Sequence, residues 1–176
     1  MTTIDYIART VNKLVVKYQS RNPYKLCSEL GIKVKQKDLG EEIKAYYYCT
    51  SRICNIVLNN RISEDVQRIL VAHELGHERL HKELAQLQGF QEVELFVQSI
   101  PFEYEANLFA AELLIDDEEL LVLLSDEDKS YNGVASVLRV PADFLDFKVR
   151  VIKHRGLVDE AQYMANLSNG KISCIE

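Results

Sequence analysis

The segment His73-Glu74-Leu75-Gly76-His77 puts three ionisable groups where a buried helix face belongs. Reading outwards from it, Ile62, Val66, Ile69, Leu70, His73, His77, Leu80 and Leu84 recur at the spacing of one helical stripe. Ser63 suits the N-cap, and Glu64 and Asp65 favour the first turn, so the pattern predicts a helix over about 63–84. Two histidines on a solvated polar face would need no further explanation. Here they lie in line with the apolar stripe, and buried imidazoles need polar partners. Residues four apart stand about 6 Å apart along the axis and project the same way, so both rings can meet one metal ion. Glu74, one residue on, can reach a water on that ion as a general base. The His-Glu-x-x-His pattern suits zinc, which in catalytic sites takes three protein ligands and keeps one position open.

The third ligand must come from elsewhere in the chain. His81 shares the face, but on a continuous helix it lies about 12 Å from His73 along the axis, too far for two bonds of about 2.0–2.1 Å to one ion. No glycine between His77 and His81 breaks the helix, so His81 reads as a structural or supporting residue. Downstream, Pro101 opens a second predicted helix over about 102–115, with Phe102, Ala106, Phe109, Ala110, Leu113 and Leu114 as its apolar stripe. Glu103 and Asn107 share the edge of that stripe. Glu103 fits a metal ligand and also fits a solvated acid at a helix start, and spacing alone leaves both open. Asn107, one turn on, can hydrogen-bond a ligand histidine. Glu105 projects roughly 160° from Asn107, which reads as a surface acid.

These residues together resemble the ImmA/IrrE family of metallopeptidases. The resemblance rests on His73 to His81 and on Glu103-Tyr104-Glu105-Ala106-Asn107 to Leu114, with support from Gly31-Ile32-Lys33-Val34 and from Ile56-Val57-Leu58-Asn59 leading into Arg68 to Ala72. It covers about residues 5 to 115. It implies that His73, His77 and Glu103 hold one Zn²⁺ per chain, that Glu74 is catalytic and that Asn107 supports a ligand. It also implies a zinc-dependent endopeptidase acting on a protein substrate, a helix-turn-helix repressor of a mobile element or stress regulon. A zinc-containing regulatory module that binds a repressor without cutting it is the alternative. The implied fold is α+β, a mainly helical zincin-like domain with a small antiparallel sheet and the zinc site between two helices. One departure is Ile115-Asp116-Asp117, where relatives commonly show Met-Pro.

The rest of the chain is read from pattern. Residues 3–19 form a helix with Ile7, Val11, Leu14, Val15 and Tyr18 on one face, and a short helix runs from Asn22-Pro23 to Gly31. Residues 32–34 form a short strand, and 44–49 and 53–58 an antiparallel hairpin whose edge suits an extended substrate. One of Tyr46, Tyr47 and Tyr48 suits a cleft wall, although packing explains all three. Residues 86–99 form a loop in which Val93, Leu95, Phe96 and Val97 suit a lid or an extra turn, and a further element lies near 117–125. The expected division is a peptidase-like domain over 1–125 and a C-terminal helical segment over 126–176.

That segment reads as two short helices, around Val134–Leu138 and Phe144–Ile152, with Gly156 capping the second. The form resembles a helix-turn-helix, but closing a core is the simpler reading. The formal charge of −6 disfavours direct nucleic-acid binding. Residues 103–128 carry ten acids and no Lys or Arg, whereas 139–155 carry Arg139, Lys148, Arg150, Lys153 and Arg155. No run of 18 apolar residues and no secretory leader pattern is present, so a cytoplasmic protein without membrane attachment is expected. Cys27, Cys49, Cys54 and Cys174 form no Cys-x-x-Cys pair, and free thiols are the expected state, although Cys49 and Cys54 flank the hairpin and could pair if oxidised.

Overall fold

The computed structural model describes residues 2–50, 53–81, 90–92, 96, 99–126 and 128–158. Among them, helices α1 (Thr3–Tyr18) and α2 (Pro23–Glu29) precede strands β1 (Lys33–Lys37), β2 (Ala45–Thr50) and β3 (Ile53–Asn59). Helix α3 (Glu64–Leu80), strand β4 (Phe90–Glu92) and helices α4 (Pro101–Leu114), α5 (Asp117–Ser125), α6 (Tyr131–Val137) and α7 (Ala142–His154) follow. None of these helices is long and apolar enough to cross a membrane. The chain divides into two compact units, Met1–Leu114 and Ile115–Glu176.

In the first unit the strands form one sheet in the order β1-β3-β2-β4. β3 takes an inner place because its apolar run Ile56–Leu58, flanked by buried Asn55 and Asn59, is buried throughout and needs a neighbour on each side. β2 pairs with it antiparallel through the expected hairpin, and β1 pairs with it parallel, so the sheet is mixed and not wholly antiparallel. β4 adds antiparallel to the outer side of β2 over Ala45–Tyr47. Neither hairpin strand is therefore an outermost strand, contrary to the sequence reading; β1 and β4 hold those places. Alternation buries Tyr47 completely and leaves Tyr46 and Tyr48 half-buried on the other face, their rings 5.8 Å apart.

The hairpin register also overturns the expectation of free thiols. Cys49 and Cys54 are direct cross-strand partners with Cα atoms 4.1 Å apart, and they form a disulfide. Cys27 is a buried free thiol, which burial pushes up to about 12. Cys174, Leu84, Val93, Leu95 and Val97 lie outside the described residues.

A polar knot fixes how the chain passes from β3 into α3. The Asn59 Nδ2 donates to the carbonyls of Gly40 and Ile43 at 2.7 and 2.9 Å, and its Oδ1 accepts from Arg61 N. Buried Gln67 donates to the Ile62 carbonyl at 2.9 Å and accepts from Gln36 of β1. Ser63 caps α3 as its sequence suggested, accepting from Val66 N. The helix ends at Leu80 with His81 as its C-cap.

Helix α3 then packs against α4 more extensively than against any other described element. Gly76 sets the distance. A Cβ there would stand 3.2 Å from the Ala106 Cα, 3.2 Å from Phe109 Cδ1 and 3.3 Å from the Ala106 carbonyl oxygen. Two of those atoms are backbone and cannot turn aside. Glycine costs helix propensity here, and the close crossing is what it permits. At the far end of α4 the Arg21 guanidinium donates to the Glu112 and Leu113 carbonyls at 2.9 and 3.3 Å, taking up acceptors that a helix end leaves over.

In the second unit, Asp116 caps α5 by accepting from Glu118 N and Glu119 N. Lys148 of α7 is fully buried and meets Asp117 Oδ1 at 2.5 Å, while Arg155 meets Asp117 Oδ2 at 2.7 Å. Lys148 and Arg155 of the basic segment are thus tied to the acidic run. Tyr131 of α6 donates to buried Asp146 of α7 at 2.5 Å. These contacts agree with two helices closing a core.

Two substitutions test this account. Gly76→Ala should gain intrinsic helix propensity yet lose about 1–2 kcal/mol of stability overall, because overpacking outweighs propensity; urea unfolding of the two proteins measures it. Lys148→Ala should cost about 2–3 kcal/mol, below the range for a fully buried pair because Asp117 keeps Arg155 and some solvent. Lys148→Met, which retains volume, should lose distinctly less in the same measurement.

Candidate metal centre

The crossing of α3 and α4 brings His73, His77 and Glu103 together. His73 Nε2 and His77 Nε2 stand 3.0 Å apart, and Glu103 Oε2 lies 3.1 Å from the first and 3.4 Å from the second. Both histidines are buried, and the Glu103 side chain is 13% exposed. Among the described residues these three form the group of His, Cys, Asp and Glu side chains able to hold a metal ion. Glu74, the next residue along α3, is also fully buried.

The donor set fits a metal ion on two grounds. Four tetrahedral bonds of about 2.05 Å place donor atoms about 3.3 Å apart, close to the spacing of this triangle. The hydrogen bonding of His73 points the same way. Its Nδ1 lies 3.0 Å from Asn107 Oδ1, an atom that only accepts, so the ring proton sits on Nδ1 and the Nε2 lone pair faces His77 and Glu103. Lone pairs and a carboxylate converging on one point need a cation between them.

The electrostatics keep these groups in their ligating forms. Burial lowers His77 to about 4, outweighing the opposing pull of Glu103, so its ring is neutral at pH 7. Burial alone would raise Glu103, but the facing nitrogens of His73 and His77 outweigh it and hold the carboxyl well below the usual carboxylate range.

Other residues frame the triangle. Phe102, beside Glu103, lays its ring 6.2 Å from His77 and 6.3 Å from His81, both centroid to centroid. His81 Nδ1 lies 3.2 Å from His77 Nδ1, so His81 sits behind a possible ligand and does not join the triangle. Glu105, read from the sequence as a surface acid, meets His81 Nε2 at 2.8 Å. The helical wheel placed it away from Asn107 correctly but took that side for solvent, whereas α4 crosses α3 so that this side meets the helix end at His81. Tyr47 is fully buried in β2. Its hydroxyl lies 2.8 Å from Cys49 Sγ, and burial, reinforced by Glu78, raises it well above its ordinary value.

Two histidines one helical turn apart, a carboxylate from a crossing helix and a buried glutamate beside the first histidine make an arrangement of the metallopeptidase type. The chain belongs to the ImmA/IrrE family: the family model described as the IrrE N-terminal-like domain matches residues 27–150. The chain is 32% identical to "Uncharacterized immunity region protein 2" of Bacillus phage phi105 over 142 residues, 81% of this chain and 88% of that one. It is 29% identical to "Metallopeptidase ImmA" of Bacillus subtilis strain 168 over 150 residues, 83% of this chain and 85% of that one.

Protein supplied with zinc should carry about one ion per chain by elemental analysis, and His77→Ala and Glu103→Ala should each lose it. Asn107→Ala should keep the ion at saturating zinc with an affinity about 10–100-fold lower in chelator competition.

Proposed function

We propose that this protein is a zinc-dependent endopeptidase that cleaves a helix-turn-helix transcriptional repressor in the cytoplasm and so acts as an anti-repressor. The observation that carries the chemistry is the triangle of His73 Nε2, His77 Nε2 and Glu103 Oε2, with Glu74 next in sequence on the same helix. The repressor reading draws on its relatives, one a phage immunity-region protein by name and one a metallopeptidase.

In this reading His73, His77 and Glu103 hold the ion and Asn107 orients the His73 ring. When bound, zinc supplies Lewis acidity to water and to the scissile carbonyl. Glu74 takes the proton from the attacking water and returns it to the departing amine nitrogen, a single group serving as base and then acid. Glu74 is fully buried on the same helix as the two histidines, one residue after His73. Phe102 screens one side of His77 from solvent.

The purified protein, loaded with zinc, is to be incubated with helix-turn-helix repressors from its own genome and the products analysed by mass spectrometry. Wild type should yield a discrete pair of fragments from one repressor. Glu74→Gln should keep its zinc and lower the cleavage rate by at least about 100-fold, as expected for loss of a general base. A repressor that binds wild type and is never cut would favour the non-proteolytic regulatory module.

A further inference from the structure

We infer that Glu105 and His81 act as a pair of positioning residues that fix His77 in the one tautomer able to bind metal through Nε2. The inference rests on His73, His77 and Glu103 being the ligands, as proposed above.

It follows from counting donors and acceptors along one chain of contacts. An ionised carboxylate such as Glu105 has only acceptor atoms. Its Oε2 stands 2.8 Å from His81 Nε2, so that nitrogen carries the proton. A neutral imidazole with its proton on Nε2 has a lone pair on Nδ1. That lone pair faces His77 Nδ1 at 3.2 Å, so His77 Nδ1 is the donor. The second nitrogen of His77 is thereby left with its lone pair directed at His73 Nε2, 3.0 Å away, and Glu103 Oε2, 3.4 Å away. A metal on His77 Nε2 requires the ring proton on Nδ1, so His81 must accept there through Nδ1 and donate from Nε2, the sense that the carboxylate at the end of the chain favours.

The two histidines of the triangle are thus supported differently. His73 donates to a neutral amide, Asn107 Oδ1 at 3.0 Å. His77 donates into a chain that ends on an anion, the Glu105 carboxylate. The placement of His81 suits the role. It is the C-cap of α3, with its backbone N–H bonded to the His77 carbonyl at 2.8 Å, so the backbone holds the two rings one turn apart. Phe102 packs on both rings and limits their rotation. The His81 side chain is 9% exposed and that of Glu105 31%, so the chain runs from the buried triangle out to the surface.

The test measures zinc affinity by chelator competition on the full-length protein, with folding checked by circular dichroism. Glu105→Ala and His81→Phe should each weaken binding about 10–100-fold, the range for residues that orient a ligand. The double variant should be no weaker than His81→Phe alone, because both changes break one chain. His81→Gln offers an acceptor oxygen and a donor nitrogen in place of the two ring nitrogens and should recover most of the affinity, which a purely volumetric role would not predict. In the metal-free protein, nitrogen-resolved imidazole spectra should place the His77 proton on Nδ1 in wild type and redistribute it in His81→Phe. If Glu103→Ala abolishes binding while Glu105→Ala and His81→Phe bind like wild type, the positioning role is wrong and the ligand assignment stands. If Glu103→Ala binds like wild type, the ligand assignment itself fails.

Discussion

The structure depends on one close approach. Helices α3 and α4 each carry half of the candidate site, and neither half can hold an ion alone. Gly76 lets the backbone of Ala106 come within 3.2 Å of where a side chain would begin. Helix axes normally stand about 8–10 Å apart, and small residues at a crossing set the near end of that range. A wider crossing would leave Glu103 short of the two ring nitrogens. The polar knot of Asn59 and Gln67 directs α3 out of the sheet, and Arg21 holds the far end of α4. Both devices serve the same crossing from opposite sides.

Much of this was legible in the sequence, for identifiable reasons. The histidines betray themselves because they interrupt an apolar stripe at helical period, and a buried polar group must be answered by another. Glu103 and Asn107 share that period on the answering helix. Asn22 and Ser63 marked helix starts because their side chains take up backbone donors that the helix leaves unused, and Thr2 caps α1 in the same way. Such signals are local, and local signals survive in a linear string.

What escaped the sequence depends on how distant segments meet. The hairpin brings Cys49 and Cys54 near each other in the sequence reading, but which state they take is a matter of register: the two lie opposite each other only once the strands are aligned. The parallel partnership of β1 and β3 is likewise a choice among neighbours, and a five-residue strand rich in lysine carries no mark of it. Glu105 went unrecognised because a wheel shows which way a side chain points without showing what stands there. The acidic and basic runs of the second unit looked like separate faces, yet Lys148 and Arg155 both reach Asp117.

The position of the crossing along α4 has a mechanical consequence. Ala106 acts as the fulcrum of a lever. Glu103 stands only three residues from it, about 4.5 Å along the axis, whereas the Arg21 anchor lies six to seven residues away on the long arm. A tilt of about 10° would move the anchored end by about 1.7 Å but the short arm by only about 0.8 Å, roughly half as far. Disturbances gripping the far end of the helix therefore reach the carboxylate reduced, and the geometry of the triangle is protected by leverage as well as by packing.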